Sequence, residues 1–262
     1  FPITQCPVAR CAVDRDAPRT AADRRAARGV HDVVIESPTH ARSILEVDPA
    51  GWCDAWHLCR RRLADLAARG DLAWGMVFKN SGAAAGASLE HVHSQLVALD
   101  FVPDGFAAEL AAAGRAVDPF GDLLLAADRE ERIVETSGDL VALVPAAPRQ
   151  PFETWILPRT AEPHFHATST ARVESLAALT RSLVGRLETL VPGGAYNWWL
   201  HQYPYASSSR AAADAHPAQV AAWHWHLEIM PRINGLAGFE LGTGCHITTM
   251  SATAAAQRLR SG

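Results

Sequence analysis

Two histidines and a glutamine occupy alternate positions directly after a loop of small residues. The segment from Asn80 to Gln95 reads NSGAAAGASLEHVHSQ and contains His91 and His93. Successive side chains of an extended strand point to opposite faces, so we expect His91, His93 and Gln95 to share one face. An imidazole is largely unprotonated near neutral pH and leaves readily from phosphorus, which makes it a competent nucleophile toward phosphate. The spacing therefore predicts a nucleophilic histidine beside a bound phosphate.

The loop supplies groups that a phosphate needs. Between Asn80 and Ser88, backbone N–H groups and a hydroxyl can donate to phosphate oxygens, and Gly82 and Gly86 permit close approach of the backbone. Gln95 can donate to the oxygens that gain charge during attack. An isolated His-x-His strand is more often a hydrogen-bonded pair or a metal site, but the adjoining loop and Gln95 favour a nucleophile here.

A second His-x-His pair lies near the end of the chain. His224, His226 and Glu228 alternate along a later predicted strand, and His201 lies on the strand before it. Imidazole and carboxylate ligands together suit a transition metal. Buried, hydrogen-bonded histidines are the alternative interpretation of the same pattern.

The chain divides into two stretches with a similar order of elements. Alternating apolar residues predict strands, and apolar residues at helical spacing predict helices. The first stretch has a strand over 32–37, a helix from 52 to 70, a strand over 72–78, the glycine loop and a strand over 91–101, followed by a linking helix over 103–117. The second has strands over 140–144 and 153–157, a helix capped by residues 168–170, and strands over 196–203 and 223–230, with a mobile loop predicted over 206–219. The repeated His-x-His strand indicates an internal duplication.

Composition excludes several classes of protein. With 262 residues and 48% hydrophobic content, the chain is long enough to bury a sizeable core. Its 24 basic and 28 acidic residues give a net charge of −4, without the Lys/Arg-rich run of a nucleic-acid or membrane-surface partner. No apolar stretch approaches the roughly 20 residues of a membrane helix, and no secretion segment opens the chain. We therefore expect a cytoplasmic protein with no nucleic-acid or membrane partner.

The cysteines and tryptophans receive no functional role. Five scattered cysteines are an odd number in a chain too long to depend on disulfides, and Cys6 and Cys11 are interpreted as bystanders. The tryptophans of the predicted strands are expected to be core rather than a base-stacking platform. They are Trp198, Trp199, Trp223 and Trp225.

Most of the chain resembles the galactose-1-phosphate uridylyltransferases, a branch of the histidine-triad superfamily. The resemblance rests on the Asn80–Gln95 segment, on Ser37-Pro-Thr-His40 before it, and on later matches in the same order. The later matches are Phe152–Pro158, His224-Trp-His226, Gly242-Thr-Gly244 and the closing Ala-rich helix. The resemblance implies an α+β fold of two tandem histidine-triad-like halves, with a mostly antiparallel sheet flanked by helices. We place the halves at 1–120, which contains the active-site motif, and 121–262.

The resemblance also implies a mechanism. His93 would attack the α-phosphorus of a nucleoside diphosphate sugar, expel a sugar 1-phosphate and hold the nucleotidyl group covalently until a second sugar phosphate takes it. Gln95 would stabilise this intermediate. The groups contacting the nucleotide or its phosphates would be Asn80, Ser81, Gly82, Gly86 and Ser88. The favoured donor is a UDP-sugar, with a hexose 1-phosphate as acceptor. The alternatives are an adenylyltransferase or phosphorylase acting on an ADP-sugar, and a noncatalytic nucleotide-binding relative.

Metal ions and a homodimer are the remaining implications of the resemblance. Zinc would bind His40 and His91, and a second transition metal, iron or zinc, would bind His201, His224, His226 and Glu109. Two departures from the family pattern stand out. Val92 replaces the usual proline between the motif histidines, and the CxxC pair of zinc-binding members does not occur in the printed chain.

Overall fold

The fold is a single antiparallel sheet covered by helices on both faces. A computed structural model describes residues 3–6, 28–205, 217–235 and 237–262. The helices within these residues are α1 (Pro49–Ala68), α2 (Asp104–Ala113), α3 (Pro119–Arg129), α4 (Thr170–Leu190), α5 (Pro217–Ala221), α6 (Gly238–Thr243) and α7 (Ala252–Ser261). The strands are β1 (Ile3–Cys6), β2 (Gly29–Ile35), β3 (Trp74–Ser81), β4 (His93–Leu99), β5 (Ile133–Ser137), β6 (Leu140–Leu143), β7 (Thr154–Pro158), β8 (Tyr196–His201) and β9 (His226–Pro231). The predicted α+β class is confirmed.

The order of the strands repeats about the centre of the sheet. In space the described strands run β1-β2-β4-β3-β8-β9-β7-β6-β5, and every neighbouring pair is antiparallel. In the first half a strand and α1 precede β3 and β4, and in the second half a strand and α4 precede β8 and β9. The strands β3 and β8 meet at the centre, with Asn80 opposite Asn197. This arrangement supports an internal duplication, while the domain boundary at residue 120 stays a prediction.

The two long helices form because each has a capped start and one apolar face. Asp48 caps the first turn of α1, and Ser169 caps α4. Pro49 suits the first position of α1, because an N–H at that position would have no partner within the helix. Both helices pack on the same face of the sheet. There the indole N–H of Trp52 donates to the backbone oxygen of Ala177 at 3.2 Å and to Thr180 at 3.0 Å. These contacts fix α1 against α4.

The opposite face has a smaller core beneath α2 and α3. Its aromatic centre includes Trp74, Phe106, Phe120 and Trp223, with the Phe120 and Trp223 rings 5.0 Å apart. Trp198, Trp223 and Trp225 are buried, as expected of core residues. Trp199 is only partly buried, and its ring packs against the Arg149 guanidinium at 5.2 Å.

Several predicted element bounds are wrong. The strand expected over 91–101 begins at His93, because the Val92 N–H donates to the Ala41 backbone oxygen at 2.8 Å and draws His91 out of the ladder. The linking helix expected over 103–117 ends at Ala113, where the Gly114 N–H closes the last turn on Leu110. The strand expected over 223–230 begins at His226.

Parts of the predicted loop between β8 and β9 lie outside the description. Of residues 206–219, the structure describes 217–219, which begin α5, and not 206–216. Cys11 and the side chain of Cys6 are likewise outside the described residues. None of the helices within the described ranges has the length and apolar character that crossing a membrane requires.

Candidate active site

His93 is placed at the first position of β4 with one ring nitrogen already engaged. The side chain is 5% exposed, and its Nδ1 lies 2.8 Å from the backbone oxygen of His91. Because that oxygen can only accept, Nδ1 carries the proton and the lone pair is on Nε2. His93 lines a cleft of about 270 Å³. The geometry therefore leaves Nε2 as the candidate nucleophilic atom of His93.

The glycine loop forms the wall of the same cleft. Gly82 and Gly86 have φ values of 83° and 80°, a left-handed conformation that side chains with a Cβ rarely adopt. The N–H groups of Ala85 and Ala87 both donate to the Gly82 backbone oxygen, which closes a compact turn. Predicted site residues that line the cleft are Asn80, Ser81, Gly82, Ser88, His91 and His93. Gly86 shapes the turn without lining the cleft.

Residues of the second half hold Asn80 in place, and sequence analysis missed them. The Asn197 amide N–H₂ donates to Asn80 Oδ1 at 2.7 Å and to the Ala85 backbone oxygen at 2.9 Å. Arg232 in turn donates to Asn197 Oδ1. Since Asn80 Oδ1 is occupied, its amide N–H₂ is the end available to a phosphate oxygen. Only the register of β3 against β8 brings these residues together, and no local sequence signal reveals it.

A buried ion pair supports His93 from the face of the sheet that α1 and α4 cover. Lys79 and Glu36 are 3% and 1% exposed, and Lys79 Nζ donates to Glu36 at 2.5 Å and to the His93 backbone oxygen at 2.7 Å. The Ser94 hydroxyl donates to the other Glu36 oxygen at 2.5 Å. Burial lowers the pKa of Lys79, while the charge of Glu36 acts in the opposite direction. This pair ties three neighbouring strand segments together under His93.

Gln95 follows on the same face of β4 as His93 but does not line the cleft. Its side-chain oxygen lies 2.9 Å from Nε2 of His31 on β2. His91 departs from the predicted common face, because it precedes the strand and its Nε2 lies 3.0 Å from the Ser37 backbone oxygen. The prediction that all three side chains share one strand face is therefore wrong for His91.

The structure brings His40 and His91 together, as the zinc prediction requires. Their ring centres are 5.7 Å apart. Within the described ranges, no third histidine, cysteine, aspartate or glutamate joins them as a metal-binding group. Two imidazoles do not complete a zinc site, which needs four ligands or three and a water. Zinc at this position stays a prediction.

A second group of four side chains could hold a metal ion. Potential ligand atoms of Glu109, His201, His226 and Glu228 all lie within 4.8 Å of one another. The two Glu109 oxygens are 2.8 Å from His201 Nδ1 and 3.1 Å from His226 Nε2, yet neither nitrogen is aligned for a hydrogen bond. Convergent but misaligned atoms of this kind fit a shared ion. Two imidazoles and two carboxylates suit iron or zinc.

The protonation of this centre follows from its carboxylates. Burial lowers the pKa of His226, but Glu109 and Glu228 outweigh burial and raise this pKa to about 10. Burial raises the pKa of Glu109, but the adjacent His201 and His226 outweigh it and hold this pKa well below its usual range.

His224 lies outside this group, although sequence analysis included it. Its Nδ1 is 2.7 Å from the Pro158 backbone oxygen, and its ring stacks on Phe120 at 5.3 Å. Glu228, the acid that alternates with the two histidines, occupies the fourth place instead. Arg149 donates to Glu228 and to Glu153, which fixes the carboxylate from outside the centre.

Two family profiles match the chain. "Domain of unknown function (DUF4921)" matches residues 63–261, and "Galactose-1-phosphate uridyl transferase, N-terminal domain" matches residues 10–103.

Curated relatives agree with these profiles. The chain is 32% identical over 220 residues to the ADP-glucose phosphorylase of Arabidopsis thaliana, which covers 84% of the chain and 60% of that relative. The chain thus spans less than two thirds of that protein. It is 26% identical over 249 residues to the galactose-1-phosphate uridylyltransferase of Haemophilus influenzae, covering 90% of the chain and 68% of the relative.

Solved structures show the same relationship. A crystal structure of the Arabidopsis thaliana ADP-glucose phosphorylase with bound ADP-glucose superposes with a TM-score of 0.80 at 31% identity, covering 89% of this chain and 72% of that one. A GALT-like protein from Arabidopsis thaliana gives a TM-score of 0.81 at 30% identity, covering 98% and 82%. The DUF4921 profile spans most of the chain. The uridyl transferase profile, the uridylyltransferase relative and the GALT-like structure show that the chain belongs to the galactose-1-phosphate uridylyltransferase family.

Proposed function

We propose that this chain is a nucleotidyltransferase that works through a covalent nucleotidyl-His93. The observation that supports this most is the state of the His93 ring. Its Nδ1–H donates to the His91 backbone oxygen, which leaves the Nε2 lone pair for attack in a cleft walled by the glycine loop. The glycine loop distinguishes His93 from His226, whose Nδ1 likewise lies 3.0 Å from a backbone oxygen two residues earlier.

The reaction has two balanced steps. In the first, His93 Nε2 forms a bond to the α-phosphorus of a nucleoside diphosphate sugar, and the sugar 1-phosphate leaves with the electrons of the broken P–O bond. In the second, a phosphate oxygen of the acceptor attacks the same phosphorus, and the N–P bond breaks to regenerate His93. The bond from Nδ1 to the His91 oxygen stabilises the positive ring of the intermediate.

The neighbouring groups act on the phosphoryl oxygens. The Asn80 N–H₂, the Ser88 hydroxyl and the loop N–H groups of Ser81 and Gly82 would bind the phosphates of the donor. Gln95 would donate to the oxygens that gain charge as His93 attacks.

The nucleobase and the acceptor are separate parts of the proposal. The higher identity to an ADP-glucose phosphorylase makes an ADP-sugar the first donor to test, with inorganic phosphate as its acceptor. The match to the uridyl transferase profile supports a UDP-sugar with a hexose 1-phosphate as the second candidate.

Labelling with two donors separates these candidates. Full-length protein is mixed with ADP-glucose or UDP-glucose labelled in the α-phosphate, and protein-bound label is measured after gel filtration. Retention from ADP-glucose alone supports the adenylyl candidate, and retention from UDP-glucose alone supports the uridylyl candidate. Tight binding of either nucleotide without covalent label would instead indicate a noncatalytic nucleotide-binding protein.

The proposal includes a bound divalent metal ion. The residues that would hold it are Glu109, His201, His226 and Glu228, and when bound it would cross-link α2 to the sheet as a structural ion.

A homodimer, implied by family resemblance, is the proposed assembly. Sedimentation velocity at several protein concentrations tests it, and a monomer at all concentrations would exclude it.

A further inference from the structure

We propose that His31 is a positioning residue that orients the Gln95 amide toward the reacting phosphoryl group. This inference rests on the proposed function, because it assigns a role in the step that forms nucleotidyl-His93. His31 lies on β2, outside the cleft and outside every motif of the sequence.

The register of β2 against β4 brings the two side chains together. Val33 is opposite Gln95 and His31 is opposite Val97, so His31 and Gln95 are diagonal neighbours. Val34 on β2 and Leu96 on β4, whose side chains point to the opposite face from His31 and Gln95, are fully buried in the core under α1. His31 and Gln95 therefore lie on the other face of the sheet, which is the face of His93.

A direct contact joins the two side chains across this diagonal. His31 Nε2 is 2.9 Å from Gln95 Oε1. The His31 ring is nearly parallel to that of Phe78 on β3, with ring centres 6.3 Å apart and an angle of 28° between planes. The Phe78 ring thus flanks the imidazole that contacts Gln95.

This contact determines which end of the amide is free. A primary amide has an oxygen that only accepts and an N–H₂ group that only donates. When the His31 Nε2–H donates to the oxygen, the N–H₂ remains for a phosphoryl oxygen. Without His31, the amide rotates freely about its last bond and spends part of its time with the oxygen toward the anion, which repels it.

The expected loss follows from a single hydrogen bond. Removing one neutral bond of this kind changes an equilibrium by about three- to tenfold. We therefore expect the His31→Leu variant to form nucleotidyl-His93 about three- to tenfold more slowly than wild type in a single turnover. Its affinity for the nucleotide sugar should be unchanged, because His31 itself is placed away from the cleft.

The matched control is His31→Gln. A glutamine at this position has a terminal N–H₂ that can donate to Gln95 Oε1, so this variant should react within about twofold of wild type. The side chain of His31 is only partly buried, so both variants should fold, and equal thermal midpoints check this.

A double-mutant cycle separates positioning from a general structural role. If His31 acts through Gln95, then His31→Leu has no further effect in a Gln95→Ala background. Rapid quench with the α-phosphate-labelled donor that labels wild type measures all four proteins. Additive losses in the double variant, an unchanged rate in His31→Leu, or equal losses in His31→Leu and His31→Gln would each overturn the proposal.

Failure of the proposed function gives a different result from failure of this inference. If wild type forms no nucleotidyl-histidine, the proposed function fails. The contact between His31 and Gln95 can then be tested by itself, through the Gln95 side-chain N–H₂ resonances in a ¹⁵N spectrum. Those resonances should shift in His31→Leu and stay in place in His93→Asn. Unchanged resonances in His31→Leu would overturn the orientation of Gln95 by His31.

Discussion

Replacing Lys79 by methionine tests whether the buried ion pair under His93 holds the centre of the sheet together. Lys79 and Glu36 are 3% and 1% exposed, so the Lys79→Met variant leaves the Glu36 carboxylate buried beside the Ser94 hydroxyl as its one direct partner among the described residues. Methionine fills a similar volume, so the loss consists of the ion pair and of the hydrogen bond from Lys79 to the His93 backbone oxygen. Breaking a buried pair in this way typically costs about 3–5 kcal/mol of unfolding free energy.

The double variant Lys79→Met/Glu36→Gln isolates the charge. It removes the uncompensated carboxylate and keeps an oxygen that the Ser94 hydroxyl can reach, so it should recover most of the lost stability. Arg69→Met is the control, because the Arg69–Asp71 pair is exposed and its loss should leave the unfolding midpoint unchanged.

Urea denaturation at pH 7 measures these free energies by linear extrapolation. We expect Lys79→Met to unfold at a clearly lower urea concentration with an unchanged slope. A loss below about 1 kcal/mol, the range of exposed pairs, would refute the electrostatic account. A double variant less stable than Lys79→Met would refute it as well.

Two further predictions follow from the site geometry. Asn197→Ala should slow labelling of His93 about tenfold, since Asn80 loses the partner that orients its amide. Asn197→Asp should label His93 about as slowly, because an aspartate offers Asn80 no donor. Rapid-quench labelling measures both variants, and a wild-type labelling rate in either would contradict the role of Asn197. The pKa of His226 is raised to about 10, so its proton stabilises the metal-free fold fully below the unfolded pKa near 6.5, and this contribution is lost as pH rises through 10. A bound metal ion must displace this proton, so the Zn²⁺ affinity measured by calorimetry should increase from pH 6 to pH 8 with proton release. An affinity that does not depend on pH would contradict a site at His226.

Local sequence patterns were sufficient to predict features whose residues are neighbours in the chain. The placement of the Asn80–Ser88 loop beside His93 could be predicted, because the glycine loop and the histidine are close in the sequence. Long elements such as α1 and α4 were also predictable, since their apolar stripes and caps are strong signals. Two short elements, α3 and β5, were not predicted. Asp118 and Pro119 are helix-start signals at the beginning of α3, and β5, at five residues, is too short to show a clear alternation.

Contacts between distant residues were the least predictable part of the site. Lys79 meets Glu36, and Asn80 meets Asn197, through strand registers that no single sequence displays. The metal group was predicted in part, because alternation placed His226 and Glu228 on one face and family resemblance added Glu109. The choice between His224 and Glu228 depended on the start of β9 at His226, where His224 is already bound to the Pro158 oxygen.

The central claim is that His93 becomes covalently nucleotidylated. Wild-type protein and His93→Asn are incubated with ADP-glucose or with UDP-glucose, quenched under alkaline conditions that preserve phosphoramidates, digested and mapped by mass spectrometry. We expect one nucleotidyl group on the wild-type peptide that contains His93 and none in His93→Asn. A nucleotidyl group on another residue, or one that persists in His93→Asn, would contradict the account.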